Sequence, residues 1–146
     1  IAQFTYFQQM AGIQCNPVSV ELTYGLERIC MFVQDKSNVF DLIWNLDGVL
    51  YRDIFKENEK QFSKYNFEFA NIQNLFDTFN GLEKEAKNLI INRLPLPAYD
   101  QSLKASHVFN ILDSRGAIST AQRAGYIARI RNLVKEVGEK WLEEKS

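Results

Sequence analysis

The chain is poor in the residues that carry most metal and thiol chemistry. Its 146 residues include one histidine, His107, and two cysteines, Cys15 and Cys30. Two thiols are too few for a disulfide framework, and the lone histidine is too far away in sequence to join them in a zinc site. Both cysteines are expected as free thiols, buried or at the surface. An excess of charge of one sign is also lacking. The 17 basic and 18 acidic residues nearly cancel, which excludes a nucleic-acid binder held by bulk charge and leaves room only for a local patch. No apolar run is long enough for a membrane span, and no signal-peptide pattern opens the chain. A cytoplasmic protein is the expectation. Internal repeats and low-complexity tracts are missing too.

What is present is ordinary for a soluble globular protein: 46% hydrophobic and 24% charged residues, enough apolar side chain for a real core. The length fits one domain or part of a larger one. The chain opens at Ile1 in a segment, 2–10, rich in aromatic and β-favouring residues. It reads as a strand already under way. A strand needs neighbours for its backbone polar groups, so sheet partners from a preceding portion are expected, and the chain is expected to be a fragment. Gln3, Thr5, Phe7 and Gln9 form the more polar face of this strand, taken as open to a pocket.

Residues 11–17 read as a turn region, and 18–23 alternate as a second strand. A helix is expected from Leu26 to Val33, and a short one around Phe40 to Trp44. From about Asp53 to Phe67 another helix is expected to bury Ile54, Phe55, Phe62 and Tyr65. The stripe Ile72, Leu75, Phe76, Phe79, Leu82, Ala86 and Leu89 marks a clearer helix over 71–92. Pro95 and Pro97 are taken as its terminator. A helix over 98–113 should turn Leu103, Val108, Ile111 and Leu112 inward and stop before Gly116. Ser119 with Gln122 three residues later gives a capping-box start to the last helix, whose stripe is Ile127, Ile130, Val134, Val137 and Trp141.

Glu21-Leu22-Thr23-Tyr24-Gly25-Leu26-Glu27-Arg28 is the segment richest in chemistry. It is a strand, a glycine, and a helix whose first turn carries an acid and an arginine. A glycine without a Cβ admits a flat ring or a phosphate close to the backbone. The arginine offers a planar charged fork and a face that stacks on a base. Glu21, on the same side of the strand as Thr23, is suited to a magnesium ion held between phosphates. The plain alternative is a strand–turn–helix with Arg28 in a surface salt bridge. His107 is read as a hydrogen-bonded structural histidine rather than a catalytic one. Arg123, Arg129, Arg131 and Lys135 could form a basic face, more simply a solvated one. The aromatic residues Phe62, Tyr65, Phe67, Phe76 and Phe79 are read as core, or as partly exposed where another subunit docks.

The segment resembles motif 3 of class II aminoacyl-tRNA synthetases, with Glu27-Arg28 followed by the apolar helix Ile29-Cys30-Met31-Phe32-Val33. The words around it are more specific. Gln3 to Gln9, Thr23 to Arg28, Tyr65 to Glu68, Leu94 to Tyr99 and Ser106 to Ser119 all resemble the glycyl-tRNA synthetase alpha subunit, in order, from residue 1 to about residue 143. Val20 departs from it where a small residue is expected, and Ala11 where the family often has glycine.

The resemblance implies an α+β, helix-dominated chain: part of a class II antiparallel sheet with motif 3 in residues 1–36, then a helical C-terminal domain in 37–146. It implies glycine–tRNA ligase chemistry with ATP and Mg2+. Arg28 would bind the γ-phosphate end of a bent ATP, Gly25 would lie under the nucleotide, and Glu21 would help hold ATP-bound magnesium. Thr23, with Gln3 and Thr5 on strand parity, would contact glycine, while Glu27 is expected to be structural near the helix N-terminus. Implied partners are tRNA(Gly), a beta subunit and a second alpha subunit. Motif 1, which supports dimerisation, and motif 2, with its second arginine, are not found here, so the fragment is expected to be inactive alone. One rival is a helical interaction module that binds the beta subunit or tRNA. Another is a nucleotide-binding protein that makes an adenylate but charges no tRNA.

Overall fold

A computed structural model describes residues 2–145. It is α+β and helix-dominated: a two-stranded sheet, β1 (Ala2–Met10) and β2 (Ile13–Tyr24), precedes five α-helices. These are α1 (Leu26–Val33), α2 (Tyr51–Lys64), α3 (Ile72–Ile91), α4 (Pro95–Ser114) and α5 (Thr120–Lys145). The chain divides into two compact units. Within the described residues, one holds 2–8 and 15–65, the other 9–14 and 66–145.

The turn between the strands is shorter than the expected 11–17. Only Ala11 and Gly12 form it, both with positive φ, 54° and 78°. That pairing is what a two-residue type I′ hairpin needs, and its twist matches the strands it joins. Ile13 to Pro17 therefore belongs to β2 rather than to the loop. Pro17 lacks an N–H, and a strand at a sheet edge tolerates that. In place of a helix at 40–44 there is a single 3-10 turn, Val39–Asp41, capped by Asn38 Oδ1 accepting from Phe40 N at 3.0 Å. An antiparallel bridge then pairs Ile43 with Leu50.

In the first unit α2 begins two residues earlier than expected, where the Asp53 carboxylate accepts from Leu50 N at 2.8 Å. A π turn over Tyr65–Phe69 follows it. Its expected buried face is largely open: Ile54, Phe62 and Tyr65 are exposed and Phe55 is half-buried. Phe67 is exposed as well, so the core reading of the aromatic residues holds only for Phe76 and Phe79.

The second unit is an α3–α4–α5 assembly whose buried residues form a larger cluster around Phe79 and Leu112 and a smaller one of Ile90, Ala98 and Val137. Asn71 caps α3 by accepting from Asn74 N at 3.0 Å. The expected stripe of α3 faces inward along its length, with Phe79 fully buried. Ala98, Ser102 and Ala105 form a small-residue row on α4. Their lack of bulk lets it lie close to its neighbours, and the Ser102 hydroxyl is satisfied by Ala98 O at 2.9 Å. Pro95 and Pro97 do not merely end α3; they open α4, with Pro95 at its first position. There the missing N–H costs no helical bond and the fixed φ favours the helix. Leu103, expected inward, is half exposed. The capping box of α5 forms as expected: Gln122 N donates to Ser119 Oγ at 3.2 Å and Ser119 N to Gln122 Oε1 at 3.1 Å. Leu133, outside the expected stripe, is nonetheless buried on α5, and Trp141 at its end is exposed. Within this unit the hairpin tip packs on α5, where a Cβ at Gly138 would come within 3.3 Å of Ile13 Cδ1.

Candidate functional site

β2 runs out at Tyr24, and Gly25 starts α1 in an extended conformation, φ −82° and ψ 108°. Its carbonyl accepts from Ile29 N at 3.0 Å, closing the first helical turn. A negative φ suits any residue, so the glycine matters here for space. A Cβ on Gly25 would sit 3.3 Å from Arg28 Cδ and 3.4 Å from Cγ. The bare glycine is what lets the arginine stem lie against the strand–helix turn.

Arg28 itself is exposed, and no carboxylate pairs with it among the described residues. The surface salt bridge of the plain alternative does not form. One turn back along the strand, alternation puts Glu21 and Thr23 on one face, and the Thr23 hydroxyl donates to the Glu21 carboxylate. The geometry thus assembles two pairs, Glu21 with Thr23 and Gly25 with Arg28. Gln3 is exposed and Thr5 half-buried on β1. No hydrogen bond ties either to Glu21, Thr23 or Arg28 among the described residues.

Glu27 accepts a long hydrogen bond, 3.5 Å, from Tyr51 Oη. The Tyr51 hydroxyl is held above its ordinary pKa by loss of solvent, then by the Glu27 charge and hydrogen bond, then by Glu59. The C-terminal end of α1 is fastened more firmly. The Gln34 side-chain amide donates to Ile43 O at 3.0 Å and accepts from Ile43 N at 2.8 Å, imitating a paired strand. The helix carrying Arg28 is therefore anchored at both ends to the segment 43–51. Sequence reasoning missed Gln34 and Tyr51. A clamp between a side chain and a backbone nine residues away leaves no periodic signal.

The other chemically interesting residues separate from this site. His107 lies exposed on α4 and lines a shallow apolar groove with Thr78, Leu82, Leu103, Lys104 and Val108. No hydrogen bond reaches it among the described residues, so the structural-histidine expectation is not met. The basic residues weighed as a possible face on α5 are largely neutralised. Arg123 pairs with Asp113 at 3.0 Å, Lys135 with Glu139 at 3.7 Å, and Arg129 with Glu83. Cys15 is half-buried and Cys30 exposed, both free.

Magnesium bound through a nucleotide usually takes one or two protein carboxylates besides the phosphates. Glu21, on an open strand face, fits that modest role. No cluster of three or more His, Cys, Asp or Glu is set to cage a metal among the described residues. No helix there is long and apolar enough to cross a membrane. In comparison with protein families, the model described as glycyl-tRNA synthetase alpha subunit matches residues 1–146.

Proposed function

Because the chain belongs to the glycyl-tRNA synthetase alpha subunit family, whose members are aminoacyl-tRNA ligases, we propose that Glu21 to Arg28 forms the ATP-facing edge of a glycine-activating site. The observation that supports this edge is an exposed, unpaired Arg28 whose stem lies over Gly25. A guanidinium left without a carboxylate keeps its full fork for phosphate oxygens.

In the proposed reaction the glycine carboxylate attacks the α-phosphate of ATP and pyrophosphate leaves. The glycyl group of the adenylate so formed then passes to a hydroxyl at the 3′ end of tRNA(Gly), and AMP leaves. The first step needs position and neutralised charge more than a protein nucleophile. Arg28 holds the γ-phosphate end of a bent ATP and stacks near the base. Gly25 keeps the backbone low beneath it. Glu21, oriented by the Thr23 hydroxyl, would help hold the magnesium that neutralises phosphate charge. Thr23, Gln3 and Thr5 are assigned to the glycine pocket, and Glu27 to holding Tyr51.

Residues 1–36 are assigned to the catalytic core and 37–146 to the helical domain. The sheet supports a need for further partners. Phe4, Tyr6, Val18, Val20, Leu22 and Tyr24 are all exposed on its two strands, more apolar surface than a finished sheet leaves to water. The residues that complete the site, including a second phosphate-binding arginine, would lie outside this chain, which is therefore inactive alone. The working enzyme is a cytoplasmic assembly with a beta subunit and a second alpha subunit. A second reading, a helical module that binds the beta subunit or tRNA, is favoured by the concentration of the core in α3–α5.

Glycine-dependent ATP–pyrophosphate exchange by the ligase assembled with its beta subunit tests the reading. Arg28→Ala should lower exchange by about 100- to 1000-fold, the usual cost of removing one electrostatic clamp. Undiminished exchange by that variant would remove Arg28 from the site. No exchange by any assembly would favour the helical-module reading.

A further inference from the structure

The segment between α1 and α2 exposes aromatic rings on a backbone that is firmly held. Besides the Gln34 clamp on Ile43, Trp44 N donates to Val49 O at 2.7 Å and Tyr51 N to Leu42 O at 2.9 Å. Arg52 Nε donates to Phe40 O at 3.1 Å, and its guanidinium pairs with Asp41. Leu42 is buried beneath.

On this support Trp44 remains 56% exposed. Its ring stands edge-on to Phe55 at 5.5 Å and to Tyr51 at 6.0 Å, and Tyr51 lies 4.5 Å from Phe55. Tyr51, Phe55 and Glu59 follow one another at four-residue spacing, so they share one face of α2. Glu27 reaches Tyr51 Oη from α1, and Glu59 is near enough to influence the same hydroxyl. Neither carboxylate has a cationic partner among the described residues. Rings fixed in place and bordered by two unpaired carboxylates match one side chain well. A guanidinium offers a flat face to the ring and a fork to the carboxylates. A nucleic acid fits less well, because phosphates need free cations: Arg52 is already paired with Asp41, and Arg28, the free cation beside Glu27 in sequence, is the one assigned above to ATP.

We propose that the Trp44–Tyr51–Phe55 surface, bordered by Glu27 and Glu59, is a docking site for an arginine side chain of a partner polypeptide. The site does not rest on the ATP-facing reading, but it shares Glu27 with the Glu21–Arg28 segment, where that reading gives Glu27 only the role of holding Tyr51. The chain contains two tryptophans, so Trp141→Phe leaves Trp44 as the sole reporter. A blocked peptide bearing two arginines is titrated into that full chain, and Trp44 fluorescence is followed. The expected result is saturable quenching. The same peptide with citrulline in place of arginine should bind about fivefold or more weakly, as should the arginine peptide to the Glu27→Gln/Glu59→Gln variant. Equal responses to arginine and citrulline, or no saturable response to arginine, would overturn the proposal. So would saturable quenching by single-stranded RNA that the arginine peptide does not displace. A Trp44 signal that depends on protein concentration alone would instead assign the surface to a second copy of the chain.

Discussion

Arg129 illustrates what a single side chain does in the second unit. Its Nε donates to Glu83 Oε1 at 3.2 Å, and its Nη2 reaches both the other Glu83 oxygen and Asn80 Oδ1, the latter at 2.8 Å. Its guanidinium also lies 4.6 Å from the Phe79 ring centre and 4.9 Å from that of Tyr126. It thus closes α5 over the aromatic core of α3. The hydrogen bond from Arg129 holds the Glu83 carboxyl below its usual pKa, against a smaller opposing effect of burial, with Lys87 assisting. A lowered folded-state pKa means the stabilisation is complete above the ordinary value of 4.5 and is lost as pH falls through the lowered one. Glu83→Gln should therefore cost about 1–2 kcal/mol at neutral pH, and the gap should close on acidification. Urea unfolding of both chains across that range checks it, and a gap independent of pH would assign the cost to packing. At this scale the sequence was only half legible. Arg129 stands out in the sequence as a charge on a helix, but its pairing is invisible there, because its partners lie 46 and 49 residues away. Glu21 and Thr23 were placed together correctly, since strand alternation is a local rule.

Elements were read best where a period or a cap ran unbroken. The α3 stripe and the Ser119–Gln122 box are of that kind, while Pro95 and Pro97 carry two signals, of which the sequence shows only the first: α3 stops before them, and they also open α4. The β1–β2 hairpin is legible in the sequence, but its turn is tighter than the residue types suggest. The reason lies in Ala11, a residue that carries a φ of 54° without being glycine. The left-handed region costs an L-residue roughly 1–2 kcal/mol, and the tight turn holds it there. Ala11→Gly should relieve that strain, less the added freedom of glycine in the unfolded chain, for a net gain of about 0.5 kcal/mol. A rise in melting temperature is the expected readout. A fall would show that the Ala11 methyl, close to Gly138 on α5, contributes more by packing than its backbone loses by strain.

For the molecule as a whole, burial is divided very unevenly between the two units. Among the described residues, every buried hydrophobic one except Leu42 lies between Ala70 and Val137. The first unit instead exposes Leu22, Leu26, Phe32 and Val33 on β2 and α1, with Phe32 at 75%. Opening free energy follows buried apolar contact, so the two units should not open together. Hydrogen–deuterium exchange on the isolated chain should show slow amides in α3, α4 and α5 and early exchange across β1, β2 and α1. Adding the polypeptide partners proposed above to complete the sheet should slow the strands, if their exposed faces are where those partners pack. Strand amides as slow as those of α4 in the isolated chain would mean that the hairpin is stable without such cover. The exposed apolar faces would then be properties of a finished surface, and the proposal that further sheet partners complete the site would lose its structural support.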